Sequence, residues 1–193
     1  DPMSIGAWML GIFGLFTLAS SVLSFADSPR AIALRQRIGL VGLFFGFFLA
    51  GYTGVLLSAT ALPFWSEARL MGALFLASGA STGMAAISVV MFLTGGSGGT
   101  GWGKVKKADR YSMLVELIVL VLFLALLGSA ARPLTTGHFA PLFWGGLVGV
   151  GLIIPLILDL VGHRRKAMGA VSAALVLVGG FVLRYVVVMS IQS

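Results

Sequence analysis

Residues 38–65 read IGLVGLFFGFFLAGYTGVLLSATALPFW, an uncharged run that determines the fold class of this chain. The part from 38 to 59 is long enough to cross a bilayer, which takes about 20 apolar residues in a helix. Tyr52 and Thr53 place a phenol and a hydroxyl inside this run. Because hydrocarbon offers no hydrogen-bond partner, such groups need partners in the protein and often mark a functional site.

The composition of the chain indicates a membrane protein. Hydrophobic residues make up 59% of the 193 residues and charged residues only 10%, whereas soluble domains carry about 25% charged residues. No cysteine occurs, which excludes disulfides, iron–sulfur clusters and thiolate metal sites. The chain begins Asp1-Pro2-Met3, without an initiator methionine or a charged signal region, so we expect a processed, truncated or partial sequence.

Six apolar stretches are each long enough to cross the membrane, and short connectors join them. No connector is long enough to fold as a soluble domain. We therefore predict an all-α membrane protein, a single integral membrane domain over residues 1–193 that forms a bundle of six transmembrane helices. The predicted spans are about 4–25, 38–59, 69–93, 113–131, 139–161 and 167–190.

The basic residues predict the orientation of the bundle. Ten of them lie in the connectors 26–37, 94–112 and 162–166, and the opposite face has only Arg69 and Arg132. By the positive-inside rule the basic connectors are cytoplasmic, so both termini face the outer side. The net charge of +7 then reflects topology and contact with the lipid bilayer, and no nucleic-acid-binding module is present.

The histidines argue against a haem or metal held by this chain. His138 and His163 are the only two, and the connectors that contain them lie on opposite faces of the predicted bundle. A bis-histidine haem needs both ligands on helices that face the membrane interior. We expect that the chain binds no haem, metal or cluster of its own.

A sparse set of polar residues falls inside the predicted spans. Tyr52 and Arg184 fall in the outer third of the membrane, and the segment 78–82 falls near mid-depth. Glu116 opens the fourth predicted span and Asp159 closes the fifth, both near the cytoplasmic face. Ionisable residues at membrane depth usually have a functional or pairing role.

Each of these residues also has a simpler explanation. Arg184 can extend its side chain to the interface or pair with a backbone carbonyl, and Tyr52 can belong to an aromatic belt. Glu116 and Asp159 can be ordinary interface charges near basic connectors. The hydroxyls of segment 78–82 can bond back to their own helix.

Four segments, in order, resemble the membrane subunit of the NrfD/PsrC (polysulfide reductase) family. They are PMSIGAW at 2–8, GYTGVLL at 51–57, LFLASGASTG at 74–83 and GGFVLRY at 179–185. Family members typically have eight or more spans, and the resemblance begins at the family's third helix. The first two family helices, which help to form the quinone pocket, are therefore expected to be truncated or supplied separately.

The resemblance implies a membrane subunit of a respiratory oxidoreductase that exchanges electrons with menaquinone or ubiquinone in the bacterial inner membrane. An iron–sulfur (ferredoxin-like) subunit and a catalytic redox subunit are implied on the outer face. This chain is then either non-catalytic or the quinol-oxidising or quinone-reducing subunit. Tyr52 is implied as the pocket residue, and we expect the same quinone to be bound by Thr53, Trp65 and Arg184.

A proton route is a further expectation, because quinone chemistry near the outer face takes up or releases protons. We predict a route toward Arg184 formed by Glu116, Asp159, Ser81 and Thr82. Two other functions stay open: a secondary ion or solute transporter, for which internal inverted repeats are expected but not evident, and a purely structural membrane anchor. Binding of a quinone analogue would distinguish a quinone subunit from a transporter and from a structural anchor.

Overall fold

The computed structural model describes residues 2–26, 28–59, 68–99, 101–161 and 166–189. Within these ranges there are six helices long and apolar enough to cross a membrane, and no β-strand. The prediction of an all-α membrane bundle of six spans is therefore confirmed. The helices are α1 (Pro2–Leu23), α2 (Pro29–Ser58), α3 (Met71–Leu93), α4 (Gly101–Leu127), α5 (Leu142–Val161) and α6 (Lys166–Met189).

Two helices begin well before the apolar stretches that the hydropathy pattern marks. α2 begins at Pro29, where Ser28 accepts a hydrogen bond from the Ala31 amide at 3.2 Å and the proline fits the first helical turn. α4 begins at Gly101, far ahead of the predicted edge at residue 113. Hydropathy locates the apolar part of a helix, whereas both of these helices start with turns that contain Arg or Lys.

α5 changes its winding partway along. Its first part, Leu142–Ile153, follows the wide i→i+5 hydrogen bonding of a π-helix, and Ile154–Val161 is α-helical. The change comes directly before Pro155, which has no N–H to donate to the preceding turn. The carbonyl of Pro155 accepts a hydrogen bond from the Ser172 hydroxyl of α6 at 3.0 Å, so this point of α5 is tied to its neighbour.

α3 is the central helix of the bundle. It packs against α2, α4 and α6, while α5 packs on α6 and α1 packs on α2. The closest approaches use glycines: Gly54 of α2 lies on the Met71 carbonyl and Gly72 of α3, and Gly151 of α5 meets Gly179 of α6 backbone to backbone. Small residues at these crossings let the helix backbones touch, as is usual in membrane bundles.

Burial is highest around α6 and lowest in α1 and α2. Within an 18-residue apolar stretch of each helix, 50% of the residues are buried in α6, against 6% in α1 and 11% in α2. The largest apolar core lies at the junction of α3, α4, α5 and α6 and includes Phe75, Phe123, Phe143 and Leu183. Many large apolar side chains are exposed on the remaining faces, and such surfaces suit lipid rather than water.

The two ends of the bundle differ in charge. We call the end at which α1 ends and α2, α4 and α6 begin the basic end, because most Arg and Lys residues of the chain lie in or beside its connectors. The other end, where α2, α4 and α6 finish, is called the opposite end.

Candidate functional site

A buried polar cluster joins α3, α4 and α6 near the middle of the bundle. Ser81 hydrogen-bonds to Oε2 of Glu116, and Ser78 offers a second hydroxyl to the same carboxyl group. The Nη1 atom of Arg184 lies 3.5 Å from Oγ of Ser78 and donates to the Gly180 carbonyl at 2.7 Å. Both serines are fully buried and Glu116 is 2% exposed. We call Ser78, Ser81, Glu116 and Arg184 the central cluster.

The central cluster places an acid and a base in apolar surroundings. Glu116 and Arg184 interact electrostatically, and the guanidinium carbon of Arg184 lies 5.9 Å from the centroid of the Phe75 ring, a cation–π contact. When Glu116 is ionised, its carboxylate accepts a hydrogen bond from the Ser81 hydroxyl. When Glu116 is protonated, its carboxyl group can donate a hydrogen bond to the Ser81 hydroxyl oxygen. The cluster can therefore hold or release a proton without losing this hydrogen bond.

Gly180 and Thr82 set the spacing between α3 and α6 beside the central cluster. A methyl group on Gly180 would overlap with Cγ2 of Thr82 and would lie 3.2 Å from Nη1 of Arg184. The Thr82 hydroxyl donates to the Ser78 carbonyl of its own helix at 2.7 Å. Thr82 thus meets α6 with its methyl group. Ser78, which was not named in the predicted proton route, is the residue that contacts both Glu116 and Arg184.

A second ionic cluster lies toward the basic end, between α4 and the last turns of α5. Lys106 bridges Asp109 and Asp159, with 2.9 Å between its Nζ and Oδ1 of Asp159. Arg110 approaches the other oxygen of Asp159 at 3.4 Å and donates to its carbonyl at 3.1 Å. Asp109 is fully buried, and its Oδ1 has no hydrogen-bond partner within the described ranges. We call Lys106, Asp109, Arg110 and Asp159 the basic-end cluster.

An apolar layer separates the two clusters. Asp109 and Glu116 lie two turns apart on one face of α4, a distance of about 10 Å along the helix. Met113 fills the interval, and it packs with Ala85, Ala173 and Val176. The two buried serines beside this layer, Ser88 and Ser172, donate to the main-chain carbonyls of other residues. We call Met113 and its three apolar neighbours the apolar layer.

The predicted proton route is therefore divided. Ser81 and Glu116 meet in the central cluster with Arg184, whereas Asp159 lies in the basic-end cluster beyond the apolar layer. The prediction that Glu116 opens the fourth span is wrong. Because α4 begins at Gly101, Glu116 stands in the middle of the helix rather than at its start.

Tyr52 lies on a different side of the molecule from Arg184. It is half-buried on the face of α2 that packs against α1, where its ring contacts Gly6 and stacks on Phe48 at 6.0 Å between centroids. The face of α2 that packs against α3 carries Gly54 instead. Since Arg184 reaches α3 from α6, the structure does not bring Tyr52 and Arg184 together, although the sequence analysis placed both around one quinone.

Thr53 and Trp65 are the other two predicted quinone ligands. Thr53 is exposed, and its hydroxyl donates to the Ala50 carbonyl of its own helix at 2.9 Å. The Thr53 hydroxyl is thus bonded back to its own helix. Trp65 lies outside the described residues.

No group of three or more histidines and acidic residues that could hold a metal ion occurs in the described part of the chain. His138 lies in the connector after α4, edge-on to Phe139 at 5.7 Å between ring centroids. His163 lies outside the described residues. The expectation that the chain binds no haem, metal or cluster stays a prediction.

The fourth predicted span begins after Lys106, Asp109 and Arg110, so these three residues were not predicted as part of a site. Their spacing contains a usable signal. Lys106 and Asp109 are one helical turn apart, and Asp109 falls on the same helical face as Glu116. Extending the helix toward the basic end would have aligned both acids with the interior of the bundle.

Comparison with known proteins links the chain to one family. The family model described as "Polysulphide reductase, NrfD" matches residues 5–193. The C subunit of the polysulfide reductase of Wolinella succinogenes is 32% identical over 199 residues, which cover 95% of this chain and 60% of that protein. Protein NrfD homolog of Haemophilus influenzae is 27% identical over 222 residues, 98% of this chain and 69% of that protein. The chain thus spans well short of the full length of either relative. No solved structure gives a significant match.

Proposed function

The chain belongs to the NrfD polysulphide reductase family, and from this membership we propose that it is the quinone- or quinol-interacting membrane subunit of a respiratory oxidoreductase. The observation that supports a redox-linked role most directly is the central cluster, an acid and a base buried in an apolar bundle. Ionisable groups at membrane depth are costly and usually functional. Because quinone reduction couples electrons to proton uptake, a quinone subunit has a use for such a group.

Tyr52 is the proposed ligand of the quinone head group. Its phenol can donate a hydrogen bond to a quinone oxygen, and its ring can pack against the quinone ring. The residue is half-buried near the opposite end of α2 and stacks on Phe48. A quinone that enters from the lipid reaches this level without crossing the bundle. Thr53 and Trp65 stay proposed neighbours of the head group, while Arg184 is assigned to the central cluster.

We propose that the two clusters are successive proton-binding sites on one route. The basic-end cluster offers Asp159 and the buried Asp109, and the central cluster offers Glu116, from which Ser81 and Ser78 lead toward Arg184. The four residues of the apolar layer between them have no polar side chain, and the two described serines beside it, Ser88 and Ser172, donate to main-chain carbonyls. Protons therefore cross this layer only when water enters it, and water in a protein interior needs polar partners and room.

The proposed location is the bacterial inner membrane, with the basic end on the cytoplasmic side. On the outer face, an iron–sulfur subunit docks and exchanges electrons with a catalytic redox subunit. The chemical reason is that this chain contains no cysteine and so has no thiolates to hold a cluster. Electrons from a quinol therefore need an acceptor outside these 193 residues.

Tyr52→Phe tests the proposal, with Tyr185→Phe as the matched control. Each change removes one phenol hydroxyl near the opposite end, but Tyr185 stacks on Phe181 at an exposed face of α6. In the assembled complex we expect Tyr52→Phe to slow quinol oxidation about tenfold, as the loss of one hydrogen bond to the ligand. Tyr185→Phe is expected to retain the wild-type rate.

The same pair of variants tests the role of Tyr52 separately from the proposed quinone function of the protein. Binding of a fluorescent quinone analogue to the purified protein is expected to weaken in Tyr52→Phe alone. Equal rates and equal binding in the two variants would remove Tyr52 from the site. Failure of the wild-type complex to bind any quinone analogue would contradict the quinone function and favour a structural anchor.

A further inference from the structure

An apolar groove runs along α2 between α1 and α3, and neither the central cluster nor Tyr52 belongs to it. Its volume is about 460 Å³. Residues 38–50 of α2 form its floor, and residues 13–20 of α1 and 79–87 of α3 form its walls. Leu43 and Ile87 line the groove and are nevertheless 53% and 44% exposed. The groove is therefore open on one side within the described part of the chain.

The dimensions of the groove fit one leaflet of a bilayer. From residue 38 to residue 50, α2 rises about 18 Å, and half of a hydrocarbon core is about 15 Å. The groove starts near the basic end of α2 and finishes near the middle of its apolar part. An occupant with this length and polarity is a linear apolar chain that belongs to the leaflet at the basic end.

Glycines give the groove its depth without being needed for helix contact. A Cβ atom at Gly39 or Gly83 would meet nothing within 4 Å. This distinguishes them from Gly54 and Gly151, where an added Cβ would strike the backbone of a neighbouring helix. The small size of Gly39 and Gly83 thus leaves space for something outside the described chain.

Arg35 stands where the groove reaches the basic end. It precedes Gly39 by one helical turn and Gly42 by two, so it lies on the face of α2 that forms the floor. Its side chain is exposed, and it forms no ion pair within the described ranges. The acidic residues described by the structure are engaged in the two clusters.

Arg37 provides a natural comparison for Arg35. It is only two positions away and is also exposed, yet it continues a different face of α2, together with Val41 and Phe44. Val41 is 45% exposed and Phe44 is 70% exposed, and neither lines the groove. The two arginines therefore share charge and depth but differ in their position relative to the groove.

We propose that the groove is a binding site for an anionic phospholipid of the leaflet at the basic end. One acyl chain lies in the groove and the phosphate contacts Arg35. A guanidinium binds phosphate through paired N–H donors, and basic residues at a membrane surface attract anionic lipids. A quinone tail would match the apolar groove but has no anionic group for Arg35. The site is independent of the quinone function proposed above.

The experiment uses phosphatidylglycerol that carries a diazirine in one acyl chain, added to the purified chain in detergent, with phosphatidylcholine of the same acyl chains for comparison. We expect photo-crosslinks in residues 38–50 and 79–87. Native mass spectrometry is expected to show phosphatidylglycerol bound about fivefold more tightly than phosphatidylcholine, the effect of one basic residue at a membrane surface. Arg35→Gln is expected to remove this preference, and Arg37→Gln to retain it.

Filling the groove gives a second, independent test. Gly83→Leu places a side chain in the open groove, while Gly14→Leu places the same side chain outside it, also with nothing within 4 Å of the new Cβ. Gly83→Leu is expected to abolish the crosslinks of both lipids to residues 38–50, and Gly14→Leu to leave them. An unchanged preference in Arg35→Gln, or crosslinks outside the groove, would overturn the proposal. The proposal would also be overturned if a neutral quinone displaced the crosslinking lipid and the protein bound phosphatidylglycerol no more tightly than phosphatidylcholine.

Discussion

Arg184 is accommodated inside an apolar helix by several different contacts. The Gly180 carbonyl accepts a hydrogen bond from its guanidinium, Ser78 lies at 3.5 Å, and the Phe75 ring lies beneath it. Glu116 supplies the opposite charge. Removing one member of a buried charge pair leaves the other uncompensated, which costs about 3–5 kcal/mol. Arg184 and Glu116 therefore have to be considered as a pair in any mutational test.

Glu116→Gln is predicted to interrupt proton transfer; the side chain keeps its shape, although Arg184 loses its opposite charge. Glutamine retains hydrogen bonding to Ser81 but cannot release a proton. In proteoliposomes that contain the complex, we expect the ratio of protons moved to electrons transferred to fall about tenfold or more. Ser88→Ala is the control, because that buried hydroxyl donates to the Met84 carbonyl of its own helix. A wild-type ratio in Glu116→Gln would leave this carboxyl as a structural partner of Arg184.

Gly180→Ala is predicted to destabilise the bundle by about 1–3 kcal/mol, the usual cost of forcing a methyl group into a packed interior. The reason is the overlap with the methyl group of Thr82. The double variant with Thr82→Ser removes that methyl and is expected to recover most of the loss. Gly14→Ala, in open space, is the control. Unfolding curves in detergent measure Gly180→Ala, Thr82→Ser, the double variant and the control. Additive effects in the double variant would contradict direct contact.

The helices themselves could be predicted from the sequence, because a membrane admits few backbone structures and an apolar run of about 20 residues is hard to mistake. The starts of α2 and α4 could not, since charged first turns look like connectors on a hydropathy scale. The basic-end cluster was missed for that reason. Its partners also lie far apart in sequence, as with Arg110 and Asp159.

The sequence also did not predict which neighbouring helix each residue contacts. Tyr52 and Arg184 were both placed in the outer third of the membrane, but depth does not say which neighbour a helical face meets. Tyr52 meets α1 because Gly6 leaves room for its ring, and Arg184 meets α3 because Gly180 leaves room for Thr82. Such pairings depend on packing between helices that are far apart in sequence. The sequence of α2 does not show which of its faces meets which neighbour, because most of its length is apolar on every side.

The apolar layer leads to a prediction about α3, α4 and α6 as packed elements. Met113→Ser would introduce a hydroxyl and space for water between the two clusters, whereas Met113→Leu conserves the volume. We expect Met113→Ser proteoliposomes to equilibrate an imposed pH difference several-fold faster than the wild type, and Met113→Leu to behave like the wild type. An internal pH dye reports the rate. Equal rates in all three would show that the layer does not control proton passage.

At the scale of the whole molecule, the uneven charge of the two ends predicts how the bundle sits in the membrane. The chain has no cysteine, so single cysteines can be introduced at Gly98, beside the basic end, and at Thr136, at the opposite end. In intact cells we expect a membrane-impermeant maleimide to label Thr136→Cys and to leave Gly98→Cys unlabelled. Labelling of Gly98→Cys alone would reverse the proposed orientation.

The π-helical part of α5 has a consequence for the shape of the surrounding bilayer. A wider coil advances less per residue than an α-helix, which rises about 1.5 Å for each. The 20 residues of Leu142–Val161 therefore reach less than the roughly 30 Å of a hydrocarbon core. We therefore expect the bilayer to be thinner beside α5 than beside α2 and α4, which are long enough for its full thickness. This is a form of hydrophobic mismatch.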